Sequence, residues 1–152
     1  MTQSSGAPIK VIDANIAIWA VVPEVARGDA VGLLERLRGD GARLVAPTLW
    51  LAECTSTIRS LAFLGVLATS RAKGALENLL ALEVEMQPIE RPLCLAAFAW
   101  AERLNQRRAS DGFYLAVAEG LGTELWTADQ RLARSAQAAG ASWVHALTLW
   151  AS

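Results

Sequence analysis

The sequence predicts a single α/β domain, with a central parallel sheet of about four to five short strands sandwiched by helices. Short apolar runs alternate along the chain with amphipathic stretches of helical period. At 152 residues the chain suits one domain with a sizeable core. Its hydrophobic fraction of 53% and mean hydropathy of +0.29 are high for a chain of this size. That fits a sheet covered on both faces, with a further apolar face left for a partner. No internal repeat, low-complexity segment or second domain is evident, so residues 9–152 are expected to form one unit behind a frayed polar tail at 1–8.

The first strand is expected at Ile9 to Ile12, followed by a helix from Ala14 to Val22 that stops near Pro23. Arg27 to Arg38 reads as an amphipathic helix with Val31, Leu34 and Leu37 on one face, and Gly39-Asp40-Gly41 as a turn. Leu44 to Ala46 is a second strand, with Pro47 at the first position of the next helix. That helix runs from Thr48 to about Leu64, closed by Gly65, with Leu51, Cys54, Ile58 and Leu61 as its core stripe. Thr69 caps a helix to about Leu82, and Val84 to Gln87 forms a third strand. Glu90 to Gln106 is a helix with Leu93, Ala97, Trp100 and Leu104 on one face. Ser110 is expected to cap the next helix, which ends at Gly122. Glu124 to Trp126 is a fourth strand, Asp129 to Ala139 a helix, and Ser142 to Val144 a last strand.

Composition excludes several classes. A formal charge of −1 argues against a strongly basic nucleic-acid-binding protein, although setting four clustered acids aside leaves a mildly basic remainder that permits a phosphate-bearing substrate. Cys54 and Cys94 have neither zinc nor disulfide spacing and read as buried small hydrophobes in a reducing, cytoplasmic setting. No apolar run reaches the roughly 18–20 residues a membrane span needs, and the N-terminus lacks a signal-peptide core.

The chemistry centres on Lys10-Val11-Ile12-Asp13-Ala14-Asn15, where an apolar run ends in a carboxylate. The C-terminal end of a strand in an open α/β sheet is where ligands gather. Asp13 alone also reads as a helix N-cap. Glu53 lies mid-helix among apolar residues, and its neighbours Leu49, Trp50, Ser56 and Thr57 offer no cation. A solvent-facing side chain or a distant arginine would equally account for it. Asp111 is a first-turn charge that Arg107 or Arg108 could pair, and Asp129 is a first-turn charge within a Thr127–Gln130 capping box. Taken together, all four fall at one edge of a parallel sheet. Four unpaired anions cannot share so small a space unless one protonates or a cation intervenes. Hard oxygen ligands suit Mg²⁺ or Mn²⁺.

Four pieces occur in order: Val11-Ile12-Asp13-Ala14-Asn15, Glu53 in the helix after Pro47, Ser110 to Ala118, and Trp126-Thr127-Ala128-Asp129-Gln130-Arg131-Leu132. This set resembles the PIN-domain proteins, most closely the single-domain ribonuclease toxins of the VapC type, over about Ile9 to Val144. The resemblance implies a parallel sheet between helices with an acidic crevice at the strand ends. It implies that Asp13, Glu53, Asp111 and Asp129 are the catalytic, metal-binding acids, supported by Asn15 and Thr127. Asp13 and Asp111 are expected as direct ligands, with Glu53 and Asp129 direct or through water. Gly112 stands where the family often has alanine and is expected to loosen that helix start. The implied activity is metal-dependent endoribonuclease, in which an ion lowers the pKa of water and offsets phosphodiester charge, leaving a 5′-phosphate and a 3′-hydroxyl. The expected partners are an RNA substrate, a second copy in a homodimer, and a cognate antitoxin whose segment fills the crevice.

Other readings are weaker. A haloacid-dehalogenase-type phosphatase needs Asp-x-Asp, and Asn15 occupies the second position. Nucleotide-binding folds need a glycine-rich loop after a strand, which is missing. A non-catalytic PIN-like adaptor for RNA or protein is the alternative from another class, and the intact acids speak against it. His145, the only histidine, is expected at the surface or core edge. Trp50, Trp100 and Trp126 suit the core, while Trp19, Trp143 and Trp150 suit either core or a partner face. Arg59, Arg107, Arg108, Arg131 and Arg134 are candidate phosphate contacts.

Overall fold

The computed structural model describes residues 6–152. Of the expected tail, residues 1–5 lie outside the described residues, and 6–8 lead into the sheet, where the Pro8 carbonyl accepts from the Arg43 N–H. Five parallel strands form one sheet: β1 (Ile9–Ile12), β2 (Arg43–Pro47), β3 (Glu85–Gln87), β4 (Glu124–Thr127) and β5 (Val144–Ala146). Seven α-helices connect them: α1 (Ala14–Val21), α2 (Ala30–Gly39), α3 (Leu49–Phe63), α4 (Thr69–Leu80), α5 (Arg91–Arg103), α6 (Ser110–Leu121) and α7 (Gln130–Ala138).

The strand order is β3-β2-β1-β4-β5. The chain winds outward from β1 through β2 to β3, then crosses to the other side of β1 for β4 and β5. The winding therefore reverses between β1 and β4, which pair with Ile12 opposite Trp126. A crevice opens at the carboxyl ends of such a strand pair, because the connections leave it in opposite directions.

Helices cover both faces, so the inner strands carry near-continuous apolar runs. Val11, Val45, Leu125 and Val144 belong to a large core with Trp50, Ile58, Trp100 and Leu115. Ile12 and Leu44 face a smaller one with Leu33, Leu34 and Leu37 of α2. Side chains one residue apart on a strand point to opposite faces, which is why Val11 and Ile12 serve different cores.

Several boundaries depart from expectation. α2 starts at Ala30, because the Asp29 carboxylate caps it by accepting from the Gly32 N–H at 2.9 Å, and it buries Leu33 instead of Val31. Pro47 ends β2 opposite Gln87, so its missing N–H falls at the last rung of the strand and not at the first helical position. The buried stripe of α3 is Trp50, Cys54, Ile58 and Ala62, which turns Leu51 outward to 40% exposure and leaves Leu61 half-buried. Ala68 and Ala109 take the cap positions expected for Thr69 and Ser110, which become first helical residues. The last strand is displaced to Val144–Ala146 and includes His145.

Cys54 is buried as expected, but Cys94 is exposed, since α5 packs through Ala97, Trp100 and Ala101. Gly65 and Gly122 do end their helices with positive φ, at 75° and 63°. Gly112 also has a packing role. A Cβ there would lie 2.2 Å from the Ala97 carbonyl oxygen, so glycine is what lets α6 approach the backbone of α5.

Candidate active site

Asp13 follows β1 directly, and its backbone N–H donates to the Trp126 carbonyl at 2.9 Å, which extends the β1–β4 pairing one step past the strand. It occupies the N-cap position of α1 but makes no side-chain capping bond. Its carboxylate turns toward Thr127, at the end of the neighbouring strand. Asp13 and Thr127 are the buried polar side chains among the described residues, at 7% and 0% exposure.

Thr127 uses every hydrogen-bonding valence of its hydroxyl. Oγ1 accepts from the Asp129 N–H at 3.0 Å and from Asn15 Nδ2 at 3.3 Å. Its single proton is left for Asp13 Oδ2, at 2.9 Å. Asn15 is oriented in turn by the Ala128 N–H, which donates to its Oδ1 at 2.9 Å, and its amide also donates to Asp13 Oδ2 at 3.3 Å. Two donors thus fix one oxygen of Asp13.

The other acids arrive on helices. Glu53 is half-buried on α3 and accepts from the Tyr114 hydroxyl at 2.5 Å. Asp111, in the first turn of α6, accepts from Gln106 Nε2 at 3.0 Å; no ion pair to Arg107 or Arg108 forms. Asp129 is itself the N-cap of α7, its Oδ1 accepting from the Arg131 and Leu132 N–H groups, which replaces the expected Thr127–Gln130 box. One cavity of about 390 Å³ is lined by Asp13, Glu53, Asp111 and Asp129 together, with Asn15, Trp19 and Leu61 on its walls. A smaller cavity of about 230 Å³ adjoins it across Asp111 and Asp129 and carries Asn105, Gln106, Arg131 and Ser135.

The electrostatics follow from burying acids without cations. Burial first, then the charges of Asp111 and Glu53, push Asp13 up to about 7 against the lowering effect of the Thr127 hydrogen bond. Glu53 and Asp111 are raised as well, chiefly by burial; Asp111 adds to the first and Asp129 to the second. The Tyr114 phenol is raised by burial and by Asp13 and Glu53. None of the four acids enters an ion pair among the described residues.

Of the remaining candidates, Arg131 reaches the crevice rim, whereas Arg59 lies over the Phe63 ring at 5.5 Å. Arg107, Arg108 and Arg134 are exposed. His145 is half-buried against Trp126, with ring centroids 4.9 Å apart. Trp50 and Trp100 are core residues, Trp19, Trp126 and Trp143 half-buried, and Trp150 exposed. Tyr114 and Gln106 are the residues that sequence reasoning missed. Tyr114 sits within an apolar run and reads as core, yet three positions after Asp111 it shares that residue's helix face.

Fold and site define an α/β domain with an acidic crevice where its parallel sheet reverses. The family model for the PIN domain matches residues 10–138, and the chain belongs to that family. It is 32% identical over 125 residues, 82% of this chain and 90% of the relative, to Ribonuclease VapC12 of Mycobacterium tuberculosis. Among solved structures the fold is similar to VapBC2 from Rickettsia felis, bound to a DNA fragment from its promoter, with a TM-score of 0.65 at 12% identity, covering 92% of this chain and 99% of that one. It is also similar to FitAcB from Neisseria gonorrhoeae, with a TM-score of 0.59 at 16% identity, covering 91% and 96%.

Proposed function

We propose that this chain is a divalent-metal-dependent endoribonuclease and the toxin of a toxin–antitoxin pair. The observation that carries the reading is the crevice itself. Four carboxylates line one cavity, none of them has a cationic partner among the described residues, and Asp13 is held near neutral pKa by burial beside the others. The ribonuclease name of the M. tuberculosis relative supports RNA as the substrate.

The donor set fits Mg²⁺ or Mn²⁺. It consists of hard oxygens, partly desolvated, whose mutual repulsion a divalent charge would relieve. Among the described residues no three Asp, Glu, His or Cys side chains already converge on one point. That suits an ion held through one or two carboxylates, with water and substrate phosphate completing its shell. Asp13 and Asp111 would hold the ion directly, and Glu53 and Asp129 directly or through water. When bound, such an ion would offset charge on the phosphodiester and lower the pKa of water, supplying hydroxide as the nucleophile.

The chain's own contribution is orientation. Thr127 and Asn15 present Asp13 from the sheet edge, Gln106 holds Asp111, and the α7 N-terminus holds Asp129. Arg131, at the rim, is available to a substrate phosphate as a positioning charge.

The reading includes partners. Exposed apolar side chains at the end of α3 (Phe63, Leu64) and on α5 (Leu95, Phe98) support a homodimer. The likeness to VapC-type toxins supports a cognate antitoxin. Two free cysteines suit a cytoplasmic setting, and no helix among the described residues is long and apolar enough to cross a membrane.

The test is incubation with a mixed RNA pool in Mn²⁺, in Mg²⁺ and in EDTA, beside Asp111→Asn. Cleavage is expected with either metal, and none in EDTA or in the variant. Equal cutting by both proteins would mark contamination, and RNA binding without metal-dependent cleavage would favour an adaptor.

A further inference from the structure

We infer that Tyr114 is a positioning residue for this site, acting through Glu53. The inference rests on the proposed role of Glu53 in holding a divalent ion. Tyr114 lies on α6 and is 1% exposed, within the large core where α6 packs on α5 and the central strands. Its hydroxyl donates to Glu53 Oε1 at 2.5 Å from behind the cavity wall, which Glu53 lines and Tyr114 does not. That is the one protein hydrogen bond the Glu53 side chain makes among the described residues, and the other carboxylate oxygen is left without a protein donor.

The geometry gives the contact a purpose. Glu53 has the longest side chain of the four acids and stands on a helix whose neighbouring positions, Leu49, Trp50, Ser56 and Thr57, offer no cation and make no hydrogen bond to its carboxylate. An unanchored glutamate loses rotamer freedom each time it engages a ligand. The core fixes the phenol ring, so its hydroxyl fixes the carboxylate in advance and leaves the second oxygen to the crevice. Asp111 lies three positions earlier on α6. One rigid helix therefore carries one acid itself and sets the position of another. Outer partners of this kind commonly change metal affinity by roughly 10–100-fold when removed.

The test is Mn²⁺ titration, followed by calorimetry and by the electron paramagnetic resonance of free Mn²⁺. It compares wild type, Tyr114→Phe, Glu53→Ala and the double variant. Phenylalanine keeps the ring in the core, and an unfolding curve without metal checks that each variant is folded. Tyr114→Phe is expected to weaken Mn²⁺ binding by about tenfold. In the Glu53→Ala background the same change is expected to have no further effect. Wild-type affinity in Tyr114→Phe, or an equal loss in both backgrounds, would overturn the inference while leaving Glu53 in place. Wild-type affinity in Glu53→Ala would remove Glu53 from the proposed site and the role of Tyr114 with it.

Discussion

The Thr127 hydroxyl donates to Asp13 Oδ2 at 2.9 Å across the β1–β4 seam, joining the two strand ends between which the sheet reverses its winding. Because that hydroxyl also accepts from the Asp129 N–H and the Asn15 amide, one side chain ties together the sheet edge and the starts of α1 and α7.

Thr127→Val keeps the shape and removes the hydroxyl, leaving buried donors unpaired at a cost of about 1–3 kcal/mol. RNA cleavage is expected to fall by roughly 10–100-fold, as for other outer partners of a metal site. Thr127→Ser, which keeps the hydroxyl, is expected to retain most activity. Urea unfolding and cleavage rates, measured side by side, check both expectations.

Metal-free stability is expected to fall as pH rises. Asp13 ionises near its ordinary 3.8 in the unfolded chain and at about 7 when folded. Below the lower value both states hold the proton. Between the two, only the folded state does, so unfolding releases a proton and is favoured by higher pH. Across that window the group's contribution shrinks by on the order of 4 kcal/mol. Glu53 and Asp111 act in the same direction. Thermal midpoints from pH 4 to pH 8 in EDTA should decline more steeply for wild type than for Asp13→Asn.

Gly112→Ala is expected to destabilise the fold, although alanine is the better helix former by about 1 kcal/mol. The added Cβ would lie 2.2 Å from the Ala97 carbonyl oxygen, a backbone atom that cannot swing aside. Separating α5 from α6 should cost about 1–3 kcal/mol and displace the adjacent Asp111. A higher unfolding midpoint in the variant would contradict this packing.

Asp129 serves two ends that substitution can separate. Asparagine can still accept the Arg131 and Leu132 N–H groups as an N-cap, whereas alanine cannot. Asp129→Asn should keep wild-type stability and lose cleavage. Asp129→Ala should lose cleavage and about 1 kcal/mol of stability as well.

The fold was legible because strands buried on both faces carry apolar runs that stand out between amphipathic helices, as at Val11-Ile12 and Leu44-Val45. Helix rotation was not. Leu51 and Trp50 are both large and apolar, and only the packing of α3 on its neighbours selects Trp50 for the core. Pro47 fits a strand end as well as a helix start, and register against Gln87 decides between them.

Within the site, the four acids could be marked because carboxylates after strands, or in apolar surroundings, are chemically conspicuous. Tyr114 could not. Its ring satisfies the apolar pattern of α6, and its hydroxyl gains meaning only when α3 brings Glu53 to it. The role of Gly112 was hidden for a similar reason, since a close approach of two backbones leaves no trace in local sequence.

The central claim is that the acids of this crevice hold a divalent ion, and direct Mn²⁺ titration of the purified wild type beside Asp13→Asn tests it most directly. Saturable binding in the wild type that is lost or strongly weakened in the variant is the predicted result. Equal binding by both proteins, or none by the wild type at neutral pH, would contradict it.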